Sequence, residues 1–184
     1  IENSVKACIL DQVWAVTGDA MVDGPVAFVN MSDGVGVGIA IDGKLLRGAN
    51  NIAGEFGHVP LDVTGPLCSC GQRGCWEAYV SKRAITARYL GSDLSWSGLA
   101  QPSGPSVQEI VALARAGDAR ALETLGETGY YIGRGLATII KSIDPRRVYV
   151  SGEVTLAWDL FAPTVRETLR EQALIREAGE TDIR

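Results

Sequence analysis

The side chains best equipped for chemistry lie between positions 58 and 75, where the only histidine, His58, is followed by Cys68, Cys70 and Cys75. Zinc takes four tetrahedral ligands from thiolate sulfur and imidazole nitrogen, and one histidine with three cysteines completes that set. Gly71 and Gly74 let the backbone turn tightly between the sulfurs. A complete shell leaves no position for water or substrate, so such an ion is structural and not a Lewis acid. A disulfide framework explains the pattern less well, because a single residue separates Cys68 from Cys70. Reduced, partly buried thiols beside an ordinary loop histidine are the plainer alternative. The coincidence of the only histidine with the only cysteine cluster weighs against it. The remaining cysteine, Cys8, falls on an apolar helical face and reads as packing.

The elements that must position these ligands flank an irregular stretch. From Gly48 to Gly74 the chain is rich in Gly, Asn and Pro with no sustained period, so its order needs another source, which zinc would supply. Before it, residues 3–16 read as a helix, capped by Asn3, carrying Val5, Cys8, Ile9, Val13 and Val16 at helical spacing and closed by Gly18 and Asp19. Apolar runs from Pro25 to Met31 and from Val35 to Ile41 predict two strands. The Asp42-Gly43 hairpin signal predicts a return strand from Lys44 to Arg47.

After the cysteines, a helix is predicted from Trp76 to Tyr89, then a surface loop from Gly91 to Pro105. Ser106-Val107-Gln108-Glu109 matches a capping box opening a helix that ends at Gly117; Asp118 caps a long helix reaching Ile143, and Pro145 stops it. Val148 to Val150 predicts a buried strand running into Ser151-Gly152-Glu153, and Leu156 to Ala173 a last amphipathic helix. Strands alternating with long helices indicate a layered α/β fold. Internal repeats and low-complexity segments are absent from the sequence.

Composition narrows the function classes. With 184 residues, 46% hydrophobic and 21% charged, the chain suits one globular domain. A net charge of −5 and a pI near 4.9, with scattered Lys and Arg, argue against nucleic-acid binding by this segment itself. No apolar run approaches the roughly 20 residues needed to cross a bilayer, and Ile1-Glu2-Asn3-Ser4 lacks the basic start of a secretion signal. A cytoplasmic location and no membrane partner are the expectation.

The segment Ala53-Gly54-Glu55-Phe56-Gly57-His58, followed by Cys68-x-Cys70-Gly71-x-x-Gly74-Cys75-x-Glu77, closely resembles the signature of the ROK family of sugar kinases and sugar-responsive repressors. The likeness extends through Gly34-Val35-Gly36-Val37-Gly38, the Asp42-Gly43 turn, Arg47-Gly48-Ala49-Asn50 and the stretch from Val148 to Pro163. It implies the actin-like, ribonuclease-H-like ATPase fold. Residues 1–184 would then be a single C-terminal, sugar-sensing domain: the second lobe of a two-lobed protein, with a zinc-stapled loop. An N-terminal lobe, and in repressor members a winged helix-turn-helix ahead of it, would be absent from this chain. By the same resemblance the sugar contacts are Asn3, Glu55, His58 and Glu77, with His58 binding zinc through one ring nitrogen and offering the other to the sugar. Carboxylates and an amide suit adjacent sugar hydroxyls, which both donate and accept. Taken alone, Glu55 and Glu77 would read as solvated surface acids.

Measured against the kinases of that family, three positions depart. The expected catalytic Asp is Ser4, a hydroxyl too weak to serve as a base at neutral pH. The kinase Gly-Thr-Gly phosphate loop is Ser32-Asp33-Gly34, and the later Gly-Gly-Gly turn is Ser151-Gly152-Glu153. An Asp33 facing a nucleotide would repel its phosphates by roughly 4 kcal/mol at about 4 Å and an effective dielectric near 20. Turn or cap residues directed at solvent are the plainer reading of Asp33 and Glu153. Together Asp33, Gly34, Gly36 and Gly152 look like a degenerate nucleotide loop. The expectation is therefore a sugar-responsive transcriptional repressor, this segment being its effector-binding and oligomerisation part, with no catalytic residue. Its partners would be a small sugar or sugar-phosphate effector, DNA through a region absent from this chain, and further copies in a homodimer or homotetramer. The alternative is an ATP-dependent sugar kinase using ATP and Mg2+.

Overall fold

The computed structural model describes residues 24–98, 103–173 and 181–184. The predicted helix over 3–16 lies outside these residues, and with it Asn3, Ser4 and Cys8. Strands β1 (Pro25–Met31) and β2 (Val35–Ile41) follow the apolar runs and pair antiparallel, from Pro25 opposite Ile41 to Met31 opposite Val35. Asp42 and Gly43 take positive φ, 49° and 72°, as a two-residue hairpin turn demands. Strand β3 is only Lys44–Leu45, shorter than predicted. Beyond it the Leu46 N–H still reaches the Ile39 carbonyl, but the Ala53 N–H then bonds the Arg47 carbonyl and draws the chain into the loop.

Strand β4 (Arg147–Ser151) lies parallel to β1, and β5 (Asp182–Ile183), too short to predict, lies parallel to β4. The sheet order is β3-β2-β1-β4-β5. Alternation divides β1 between two clusters: Ala27, Val29 and Met31 enter the large core, whereas Val26 and Phe28 join Ala40, Leu45 and Tyr149 in a smaller one.

The single helix predicted from Trp76 to Tyr89 is two helices, α1 (Glu77–Val80) and α2 (Lys82–Leu90). Ser81, with ψ 158°, breaks the run, and its side chain accepts from the Ala84 N–H to cap α2. Helix α3 (Val107–Arg115) opens with the predicted capping box, Ser106 and Glu109 bonding each other's backbone N–H. Helix α4 (Ala119–Ile143) is capped by Asp118, which accepts from the Ala121 N–H at 2.7 Å, and ends on left-handed Asp144 before Pro145. Where a helix from Leu156 was predicted, a 3-10 turn spans Glu153–Ala157 and α5 runs over Trp158–Gln172. Among the described residues, no helix is long and apolar enough to cross a membrane.

Helix α4 is the platform for the cysteine loop. Its inner face buries Leu125, Ile132, Leu136 and Ile139 together with Phe161, Val165 and Leu169 of α5. Two adjacent positions hold the loop. Arg134 Nη2 donates to the Leu61 carbonyl at 3.1 Å, and Gly135 leaves room for the Trp76 ring, which is 1% exposed. A Cβ at Gly135 would lie 1.9 Å from that ring. Gly135→Val should therefore displace Trp76 and cost about 1–3 kcal/mol through overpacking, read as a lower urea midpoint at unchanged slope; an unaltered midpoint would contradict the assigned role of this contact.

Candidate functional site

The loop between β3 and α1 is irregular by period yet internally bonded. Isolated antiparallel bridges join Pro60 to Cys75 and Leu67 to Arg73. The Cys68 N–H donates to the Gln72 carbonyl, the Gly74 N–H to Pro66 and the Trp76 N–H to Val59, at 2.8, 2.8 and 3.0 Å. These contacts fold the cysteines back onto the 3-10 turn Phe56–His58. No period in the sequence marks them, because each bonds residues in an aperiodic register.

The consequence is a cluster of four ligand atoms, from His58, Cys68, Cys70 and Cys75, all within 4.8 Å of one another. Cys68 Sγ stands 3.7 Å from His58 Nδ1, and Cys70 Sγ 3.6 Å from Cys75 Sγ. A tetrahedral zinc with ordinary Zn–S and Zn–N bonds requires edges of about 3.6 to 3.8 Å, which these two pairs match, and the donor types suit that ion. Cys68 and Cys75 are buried and Cys70 is exposed. Burial, then the neighbouring thiols, pushes the Cys75 thiol up to about 12. A metal must displace that proton to bind, so uptake weakens as pH falls.

Beside this cluster lies a cavity of about 420 Å³, lined by Glu55, His58 and Glu77 together with Asp33, Gly34 and Gly36. Since His58 turns Nδ1 toward Cys68, its Nε2 is the nitrogen left for the cavity. Glu55 begins the 3-10 turn and is exposed. Glu77, the first residue of α1, is held from two sides: Oε2 accepts from the Val35 N–H and Oε1 from Ser69 Oγ, both at 3.0 Å. A Cβ at Gly34 would sit 2.6 Å from Glu77 Oε2, so only glycine lets this carboxylate reach the start of β2.

Ser32, from the turn matched to the kinase phosphate loop, lines the cavity too, and so does Asn30, which sequence reasoning missed. The signal for Asn30 was its solitary polarity near the end of an apolar strand; its Oδ1 accepts from Ser151 Oγ at 3.0 Å. Gly152 is not among the lining residues. Asn3 and Ser4 lie outside the described residues. Lys82 was missed as well. Its Nζ stands 2.9 Å from Asp33 Oδ1 and 3.3 Å from Glu153 Oε2, so the acids of two separate turns converge on one ammonium. The Asp33 contact, opposed by burial and supported by the contact with Glu153, holds the Lys82 ammonium above its ordinary pKa.

A sequence profile of the ROK family matches residues 2–184. The chain is 34% identical over 154 residues to the xylose repressor of Bacillus subtilis (strain 168), covering 84% of this chain and 37% of that protein. It is 33% identical over 177 residues to the N-acetylmannosamine kinase of Citrobacter koseri, covering 96% of this chain and 57% of the kinase. The chain thus spans about half the length, or less, of these curated relatives. A crystal structure of a ROK family transcriptional regulator, a homologue of the E. coli MLC protein, superposes with a TM-score of 0.79 at 30% identity, covering 99% of this chain and 46% of that one.

If the four ligands act together, elemental analysis of the purified protein should find about one bound metal ion per chain. Cys70→Ser, at the exposed ligand, should release it and lower the unfolding temperature; a metal-free wild type with unchanged stability would rule the centre out.

Proposed function

Because the chain belongs to the ROK family, we propose that it is the sugar-sensing and oligomerisation part of a sugar-responsive transcriptional repressor, with zinc as its structural ion. One observation carries this reading: Glu55, His58 and Glu77 line a single cavity, while the turns after β1 and β4 carry Asp33 and Glu153. Ser4 supports it, standing where a sugar kinase needs a carboxylate base. The xylose repressor and the regulator structure among the relatives support it also.

In this reading zinc holds His58 by Nδ1 and leaves Nε2 to a sugar hydroxyl. Glu55 and Glu77 accept from neighbouring hydroxyls, with Glu77 already oriented by Val35 and Ser69. Asn3 supplies an amide to the same ligand. The metal orients a ligand contact without touching the ligand, and a closed Cys3His shell suffices for that. The effector acts by binding one arrangement of this domain and its preceding lobe more tightly than another. DNA is contacted through a region outside this chain, and the repressor works in the cytoplasm as a homodimer or homotetramer.

The second reading is an ATP-dependent sugar kinase using ATP and Mg2+, favoured by the likeness to the N-acetylmannosamine kinase. A coupled ATP-turnover assay separates the two. The intact protein carrying this sequence should bind a neutral sugar such as D-xylose or D-glucose in calorimetry yet phosphorylate none, and robust turnover would defeat the repressor reading. Glu55→Gln, which removes an exposed charge, should weaken sugar binding by about tenfold to a hundredfold, as expected for a lost charged hydrogen bond, without moving the unfolding midpoint.

A further inference from the structure

The parallel strands β1 and β4 are neighbours, and both end at the same edge of the sheet, β1 running into Ser32-Asp33 and β4 into Gly152-Glu153. In open α/β sheets, ligands bind in the crevice outside the carboxyl ends of such strands. Here a side chain crosses it. Lys82 follows Ser81 at the start of α2, and its backbone N–H donates to the Ser32 carbonyl at 2.9 Å, which fixes the residue over the first turn. Its ammonium reaches Asp33 Oδ1 at 2.9 Å and both oxygens of Glu153 at 3.3 Å.

The two arms differ in their surroundings. Asp33 is 77% exposed, so water screens its pairing. Glu153 is 32% exposed, and its Oε2 is buried with no hydrogen bond, leaving the Lys82 charge as its compensation. Two carboxylates around one ammonium carry a net charge of −1, which repels a polyanion.

We propose that Asp33, Lys82 and Glu153 form an internal ion triad that occupies the crevice at the ends of β1 and β4, closes it to polyphosphate, and braces the turn lining the sugar cavity with no second ligand bound. Lys82 is thus a specificity-determining residue, acting through its two partners. The brace has a second half. Lys82 holds Ser32 and Asp33 while Glu77 holds Val35, so the α1–α2 junction grips the β1–β2 turn at both ends. The inference rests on the non-phosphorylating reading above.

The test is calorimetric titration of the intact protein with inorganic tripolyphosphate and, separately, with MgATP. Wild type should show no binding at millimolar concentration. The isosteric variant D33N/E153Q, which leaves Lys82 without its carboxylate partners, should bind tripolyphosphate at least tenfold more tightly than wild type, and adding K82M should abolish that gain. Should the double variant fail to fold, D33N alone, at the exposed arm, carries the same comparison. Wild type binding tripolyphosphate as tightly as the acid-neutralised variant would overturn the triad. Polyphosphate binding without turnover refutes only this inference, whereas phosphorylation of a sugar by wild type refutes the repressor reading itself.

Discussion

The geometry of the site depends on the carboxylate of Glu77. One of its oxygens takes the first N–H of β2 and the other the hydroxyl of Ser69, so a single side chain joins the sheet to the cysteine loop across the wall of the cavity. The residue is held as firmly on its other side, since Cys75 enters the ligand cluster and Trp76 is seated against Gly135. Three successive residues thus fasten the loop to the His-Cys cluster, a helix and a sheet. Of the three, Glu77 is the one that lines the cavity.

Both a repressor and a kinase are among the relatives of this chain. In the proposed reading the attachments orient donors and acceptors for a polyhydroxylated ligand and take no part in phosphotransfer. What would distinguish phosphotransfer from sensing sits at the edge of the same space, in the turns that follow β1 and β4. There the chain has acids paired to its own lysine. On that reading recognition and reaction are separable in the fold: the first rests on the loop and α1, the second on turns that can change independently.

Much of the fold was legible because local rules and tertiary demands agree. The bounds of β1 and β2, the Asp42-Gly43 turn and the caps at Ser106 and Asp118 follow from alternation, turn chemistry and side-chain acceptors. The break at Ser81 was not legible, since helix-forming residues flank it and only the cap bond to Ala84 reveals the change of direction. Of the candidate site, the cysteine motif marked the four side chains that cluster and, by resemblance, Glu55 and Glu77 of the cavity wall. Lys82 carried no signal, because its partners Asp33 and Glu153 are remote in sequence and meet only through the parallel pairing of β1 with β4.

The run Cys75-Trp76-Glu77 has a consequence for how this loop can vary in length. Its three side chains answer to three different bodies, and no residue between them can absorb a shift in register. An inserted or deleted residue here would turn a ligand, an anchor and a carboxylate toward the wrong partners at once. Around Val63, 75% exposed at the far end of the loop, the Asp62–Gly65 turn is closed by its own hydrogen bond, and extra residues would project into solvent. Length changes, and any engineered label or graft, are thus steered toward the loop tip and away from its root.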